Sequence, residues 1–376
     1  MITKIHSAVL YGLQARLVEV EVDSVKGLPR KTIVGLANTS IKESRDRIEF
    51  ALRNAQFHLP LGHRYTINLA PANIKKDGVW LDLPIAMGIV RSLGLVPQID
   101  TTHSLLVGEL SLDGGLKPVH GILPIAILAQ KQKKKELFVP SANAQEAALI
   151  EGIKVYGINH IRDIANHIQG VLPLTPTIKK VITPIQQSVI NYSDVKGQKI
   201  AKRVMEIAAA GGHHVLLIGS PGTGKTMLAE RFPTILPELS YKESIEVSTI
   251  YSASEKVSME TLMTTPPFRS PHHTVSYVGL VGGGTKPLPG EISLAHRGVL
   301  FLDEFPEFPP KAIESLRQPL ERGVVTISRA EYAFTYPAQF QLLAAMNPCA
   351  CVPNSIVMKN SKDIIFVIKF QSLIIQ

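Results

Sequence analysis

HHVLLIGSPGTGKT, residues 213–226, decides how the second half of this chain folds. Val215 to Ile218 form a short apolar run of the kind that makes a buried strand. Gly219, Ser220, Pro221, Gly222, Thr223, Gly224, Lys225 and Thr226 then match G-x-x-x-x-G-K-[ST] at every fixed position. MLAERF continues as a helix. Glycines let such a loop curl until successive N–H groups point inward at phosphate oxygens, and the helix start adds its positive dipole end. Lys225 supplies a charge for the β- and γ-phosphates, and Thr226 offers a hydroxyl to magnesium. The spacing therefore predicts a nucleotide-binding loop for ATP with Mg2+.

Two further strands complete the expected site. VLFL, residues 299–302, reads as a buried strand ending in Asp303 and Glu304. An acidic pair at such a tip suits a magnesium-holding aspartate and a glutamate that orients and polarises water. A third strand, Gln341 to Met346, ends in Asn347, whose amide suits a water or the γ-phosphate. Glu304 and Asn347 are the expected catalytic residues. Thr226 and Asp303 are the expected metal ligands.

Upstream, residues 1–170 alternate strand and helix patterns, as in an α/β domain. LVEVEV at 17–22 has period two. Ser40 and Glu43 are spaced as a capping box, and the helix they open puts Ile48, Ala51, Leu52 and Ala55 on one face. Strands at RYTINLA, SLLVGEL, ELFVP and KVYGI alternate with helices at DLPIAMGIVRSL, at Ile122 to Lys134 and between the last two strands. Residues 171–190 hold three prolines and no acidic residue, which predicts a linker.

The chain has 376 residues, 40 Lys plus Arg against 31 Asp plus Glu, and a formal charge of +9. That balance fits a polyanionic partner as well as a merely basic globular protein. KQKKKE at 131–136 is the densest run, and a solvated helix end explains it best. The two cysteines, Cys349 and Cys351, stand too close for a mutual disulfide, and no further cysteine follows to build a metal cluster. With no apolar span of membrane length and no signal-peptide pattern at the start, a cytoplasmic protein without a membrane partner is expected.

DVKGQ at 194–198, EIAAAGGHH at 206–214, GSPGTGKTMLAERF, FRSPHHTVSYVGLVGGG at 268–284, GEISLAHRGVLFLDEFPEF at 290–308, LRQPLERG at 316–323 and AAMNPCAC at 344–351 occur in this order. Together they resemble the magnesium-chelatase-like AAA+ ATPases of the ComM/YifB type. NIKKDGVWLDLPIA at 73–86 and VGELSLDGGLKPVHGILP at 107–124 resemble the Lon-protease-like domain that precedes the ATPase in that family. The stretch from Gly78 to Pro84 offers no serine nucleophile, and the dyad lysine position falls near Leu123, so no peptidase activity is expected.

The resemblance implies an N-terminal Lon-protease-like α/β domain over 1–170, the linker, and a P-loop AAA+ core with a mostly parallel sheet over 191–351. It also implies a hexameric ring and a role in DNA recombination and branch migration during natural transformation, on single-stranded or branched DNA. A magnesium-chelatase motor subunit and a nucleotide-binding remnant without turnover stay open as rivals. The segment 268–284 reads as a structural or subunit-contact loop, with Arg269 and Lys286 as possible phosphate partners if it meets DNA. Residues 352–376 diverge from the family pattern. The resemblance then implies a C-terminally truncated copy in which the arginine finger and helical lid are missing, so that ATP is expected to be bound but hydrolysed slowly or not at all.

Overall fold

The computed structural model describes the chain apart from residues 1, 29, 37–38, 75, 77–78, 99, 181–189, 255–260, 285–287, 329–332, 349–364 and 369–376. It divides into two compact units. The first comprises Met1–Val181 with Ser252–Thr261, and the second Ile182–Tyr251 with Leu262–Gln376.

The first unit is built on two main sheets. Thr3–Tyr11, Gln14–Lys26, His63–Ala70 and Arg30–Val34 lie side by side in that order. The first two form a hairpin whose last pair is Tyr11 with Gln14. Gly12 turns that corner at φ 64°, where a side chain would be strained. Val18, Val20 and Val22 are fully buried while Glu19 and Glu21 face outward, as the period of two requires. The second sheet is parallel: Ser104–Leu106, Glu136–Pro140 and Lys154–Ile158.

Helix Thr39–Asn54 packs Ile48, Ala51 and Leu52 into the core, with Ala55 just beyond its end. It begins at Thr39, so the Ser40–Glu43 spacing does not mark its boundary. Helix Asp82–Ser92 is buried along almost its whole length. Burial raises the Asp82 carboxyl above its usual range, and Arg47 at 2.8 Å pulls it back down.

Two elements differ from the sequence expectation in extent. SLLVGEL splits, with Ser104–Leu106 in the parallel sheet and Glu109–Leu110 in a separate ribbon. The helix from Ile122 stops at Lys131, because Lys133 takes a left-handed backbone at φ 54°. Residues 171–180 carry no helix or strand, and the Thr177 N–H donates to the Val155 carbonyl at 2.7 Å.

The second unit carries a five-stranded sheet in the order Phe268–Arg269, Val299–Leu302, Gln341–Met346, Val215–Ile218, Ile365–Ile368. The first four strands are parallel. The last pairs antiparallel to Val215–Ile218, and it is the described part of residues 352–376. Strands covered on both faces must be apolar throughout, which is why VLLI and VLFL show no alternation. Ile218 stands opposite Met346, and Leu302 opposite Ala344. Three chains therefore leave the same sheet edge within two residues of one another, at Gly219, Asp303 and Asn347.

Candidate functional site

The loop after the central strand is shaped by its own hydrogen bonds. Gly219 N–H donates to the Met346 carbonyl at 3.3 Å, and the Thr223 N–H and hydroxyl both reach the Ser220 carbonyl, at 3.4 and 2.9 Å. Gly222 and Gly224 sit at φ 77° and 89°, where a side chain is strained. A Cβ added at either would meet no heavy atom within 4 Å. Space beside the loop is thus open, while Ser220, Pro221 and Gly222 lie on the surface.

Lys225 opens the following helix, Lys225–Arg231, with 8% of its surface exposed. Its ammonium donates to the carbonyls of Gly219 and Ser220 at 2.7 and 3.0 Å and to Asn347 Oδ1 at 3.0 Å. Burial pulls its pKa below the usual lysine value, and the Asp303 carboxylate opposes that pull. The Thr226 hydroxyl donates to Asp303 Oδ2 at 2.7 Å, and the Glu304 N–H to Asp303 Oδ1 at 2.9 Å. Lys225 thus meets Asn347 and its neighbour Thr226 meets Asp303, although these residues come from three separated stretches of sequence.

Glu304 stands apart from this cluster in its contacts. Its backbone lies in the left-handed region at φ 51°, ψ 43°, which costs a residue with a side chain on the order of 1 kcal/mol or more. Its carboxylate meets His273, with Oε2 at 3.2 Å from Nδ1. Neither this contact nor the role of Gln198 is visible in the motifs. Gln198 also has a left-handed backbone, at φ 48°, and its side-chain amide donates to the Thr223 carbonyl at 3.3 Å, bracing the loop from outside. At the opposite end of the strands, the Leu342 N–H donates to His214 Nδ1 at 3.0 Å and Gln341 Nε2 to the Ala208 carbonyl at 2.9 Å. These bonds fix the register that aligns the strand tips.

Other residues singled out by sequence fall elsewhere. Arg269 is half-buried and donates to Glu291 at 2.6 Å, so its charge is spent inside the unit. His272 bonds Thr274 at 2.9 Å, and its ring lies tilted against that of His273, centroids 4.0 Å apart. Lys286, Gly78, Cys349 and Cys351 lie outside the described residues.

The arrangement fits a triphosphate with a divalent cation. An open, amide-rich loop faces a buried ammonium that donates to three neutral oxygens, which an anion can displace. The hydroxyl and carboxylate beside it are hard oxygen donors suited to Mg2+. Among the described residues, no helix is long and apolar enough to cross a membrane.

Comparison with known proteins gives the same direction. The family described as magnesium chelatase, subunit ChlI, matches residues 191–364, and the one described as subunit ChlI of Mg-chelatase matches residues 20–143. The competence protein ComM of Haemophilus influenzae is 45% identical over 357 residues, covering 92% of this chain and 68% of that protein. YifB of Escherichia coli is 43% identical over 345 residues, covering 92% of this chain and 67% of its own length. The magnesium-chelatase 67 kDa subunit of Chlorobaculum parvum is 26% identical over 163 residues, covering 42% of this chain and 23% of that subunit. The chain belongs to the ComM/YifB family of magnesium-chelatase-like proteins, whose fold is that of the P-loop AAA+ ATPases.

Proposed function

We propose that the second unit binds ATP with Mg2+ and hydrolyses it slowly, and that in this family the cycle drives work on DNA. The observation that carries this reading is the convergence of Lys225 on Asn347 at 3.0 Å and of Thr226 on Asp303 at 2.7 Å at one sheet edge. The amides of Gly219 to Thr226 would cradle the phosphates. Lys225 would exchange its carbonyl partners for β- and γ-phosphate oxygens, and charged acceptors make the stronger bonds. Thr226 and Asp303 would hold the metal, which neutralises charge building on the phosphate oxygens. Glu304 would orient the attacking water and take its proton. Asn347, at the tip of the neighbouring strand, would hold that water or a γ-phosphate oxygen.

The DNA part of the proposal rests on the relatives and on charge. The ComM relative is named for competence, and 92% of this chain matches it. A formal charge of +9 suits a phosphate backbone. We read the substrate as single-stranded or branched DNA met during recombination in natural transformation, and the working form as a hexameric ring of this chain. The first unit is read as a scaffold without peptidase chemistry. Tetrapyrrole metallation is less well supported, since the chelatase subunit shares only 42% of the chain.

The test compares ATP turnover by the wild type with Glu304→Gln, alongside binding of branched, single-stranded and duplex DNA at several salt concentrations. The proposal expects turnover that E304Q abolishes while ATP stays bound, and affinity for branched or single-stranded DNA that falls steeply with salt. Turnover equal in both proteins would overturn the site reading. Indifference to DNA at low salt would overturn the DNA reading alone.

A further inference from the structure

The basic run at 131–136 does not sit where its sequence puts it. The helix ends at Lys131, Lys133 takes a left-handed backbone, and Glu136 already belongs to the strand Glu136–Pro140. Residues 132–135 therefore turn the chain between helix and strand and are not the helix's solvated last turn. The Lys135 and Glu136 N–H groups both donate to the His103 carbonyl, at 2.8 and 3.2 Å, and the Lys154 N–H donates to the Lys135 carbonyl at 2.9 Å. Glu136 stands opposite Lys154 in the parallel sheet. Strand pairing thus carries a lysine from a later strand to the side of the turn.

Between them lies an open hollow of about 730 Å3, lined by the exposed side chains of Lys133, Lys135 and Lys154. Gly152 forms part of its wall at φ 86°, and a Cβ there would meet no heavy atom within 4 Å. Lys134 plays a different part. It is buried, and its ammonium donates to the Thr102 carbonyl and to His6 Nδ1 at 2.8 Å, which anchors the turn. Among the described residues, no carboxylate pairs with Lys133, Lys135 or Lys154. Glu136 also lines the hollow, but it accepts from the Ser104 hydroxyl at 2.8 Å, and Glu151 faces Lys179 at 3.5 Å. Like charges gathered round one concavity repel each other and focus a field that attracts anions. A single small anion would stay hydrated in so open a hollow. A chain of phosphates meets all three charges at once and releases its counterions.

We infer that this hollow is a nucleic-acid backbone contact on the first unit, in which Lys133, Lys135 and Lys154 each meet a phosphate of a single strand. The inference rests on DNA as the partner proposed above. It gives the first unit a task beyond that of a scaffold, at residues remote in sequence from the nucleotide-binding loop and from the acidic pair.

The experiment is binding of a fluorescein-labelled single-stranded DNA oligonucleotide to the full chain, read by anisotropy at several salt concentrations. The wild type is compared with K133Q/K135Q/K154Q and with K133R/K135R/K154R. A control, K26Q/R64Q/K117Q, removes as many exposed positive charges elsewhere in the first unit. K133Q/K135Q/K154Q is expected to weaken binding at low salt about 10-fold or more. It should also lower the slope of log affinity against log salt by about two, since each phosphate of a single strand contributes about 0.7. The arginine triple keeps the charge and stays within about twofold of the wild type, and the control loses less than about threefold. The single variants K133Q, K135Q and K154Q each weaken binding about two- to threefold and carry the test if the triple fails to fold. Equal losses in the two glutamine triples would mean that net charge alone holds the strand, and would overturn the inference. Wild-type affinity and slope in K133Q/K135Q/K154Q would do the same. If that triple releases the chain from vesicles of anionic lipid and leaves DNA binding intact, the surface belongs to a membrane and the inference falls. A wild type without affinity for DNA at low salt overturns the DNA reading, and this contact with it.

Discussion

Two buried lysines, one in each unit, invite comparison. Lys76 in the first unit is fully buried and donates to the carbonyls of Gly35, at 3.0 Å, and Pro71. Lys225 in the second is nearly as buried and donates to the carbonyls of Gly219 and Ser220. Burial lowers the pKa of both. Around Lys76 the chain closes: a Cβ on Gly35 would strike the Leu69 carbonyl, and the Lys76 N–H itself donates to the Leu36 carbonyl at 3.2 Å. Around Lys225 the glycines face open space, and an amide, a hydroxyl and a carboxylate stand in reach. A buried ammonium satisfied by carbonyls is a packing device in one place and a candidate phosphate ligand in the other. The difference is made by what lies on the far side of the loop.

Exchanging each lysine breaks the comparison most sharply. Lys225→Ala should weaken Mg-ATP binding about 100-fold or more, since it deletes charge-assisted bonds worth roughly 1.5–3 kcal/mol each. Lys76→Met should leave binding by the folded protein unchanged. Titration with a fluorescent nucleotide reads both, and equal losses would erase the distinction drawn between the two sites.

Stability should reverse that order. K76M removes the donors facing two carbonyls inside a closed loop and should cost about 1–3 kcal/mol. K225A exposes its former partners to open space and should cost less than about 1 kcal/mol. Urea unfolding of both variants tests this.

A weaker effect follows from pH. Burial holds the folded-state pKa of Lys76 below the ordinary lysine value of 10.5, so between those two values the unfolded chain binds more protons. Stability contributed at this position therefore rises with pH through that window and is penalised below it. The wild type should gain stability relative to K76M as pH climbs toward 10.5. A difference that is flat or falling would mean that Lys76 is not desolvated in the folded protein.

The smallest change is expected at Gln198, outside the loop that it braces. Gln198→Ala deletes one neutral bond to the Thr223 carbonyl and should weaken nucleotide binding by about 0.5 kcal/mol, roughly a factor of two.

Much of the second unit was legible because its chemistry is local. The loop, its strand and its helix are contiguous, and Asp303 and Asn347 announce themselves by following apolar runs. Parallel pairing then brings the tips together without any further signal. What stayed hidden arises through space. His273 precedes Glu304 by thirty-one positions, and the His-His pair reads as an ordinary loop until Phe268–Arg269 is seen beside Val299–Leu302. A polar residue soon after a strand that neighbours the acidic one was the available clue. Lys76 carries no clue at all, since its burial depends on how the backbone around Gly35 and Pro71 closes over it. The antiparallel strand Ile365–Ile368 was equally unreadable, because a short apolar run does not state its direction.

The most direct measurement of the central claim is a structure of the chain with Mg2+ and a non-hydrolysable ATP analogue. The account expects the β- and γ-phosphates in the loop Gly219–Thr226, Lys225 turned from its carbonyls to phosphate oxygens, and the metal between Thr226 and Asp303. Phosphates bound elsewhere, or a well-folded protein whose loop takes up no nucleotide, would contradict it.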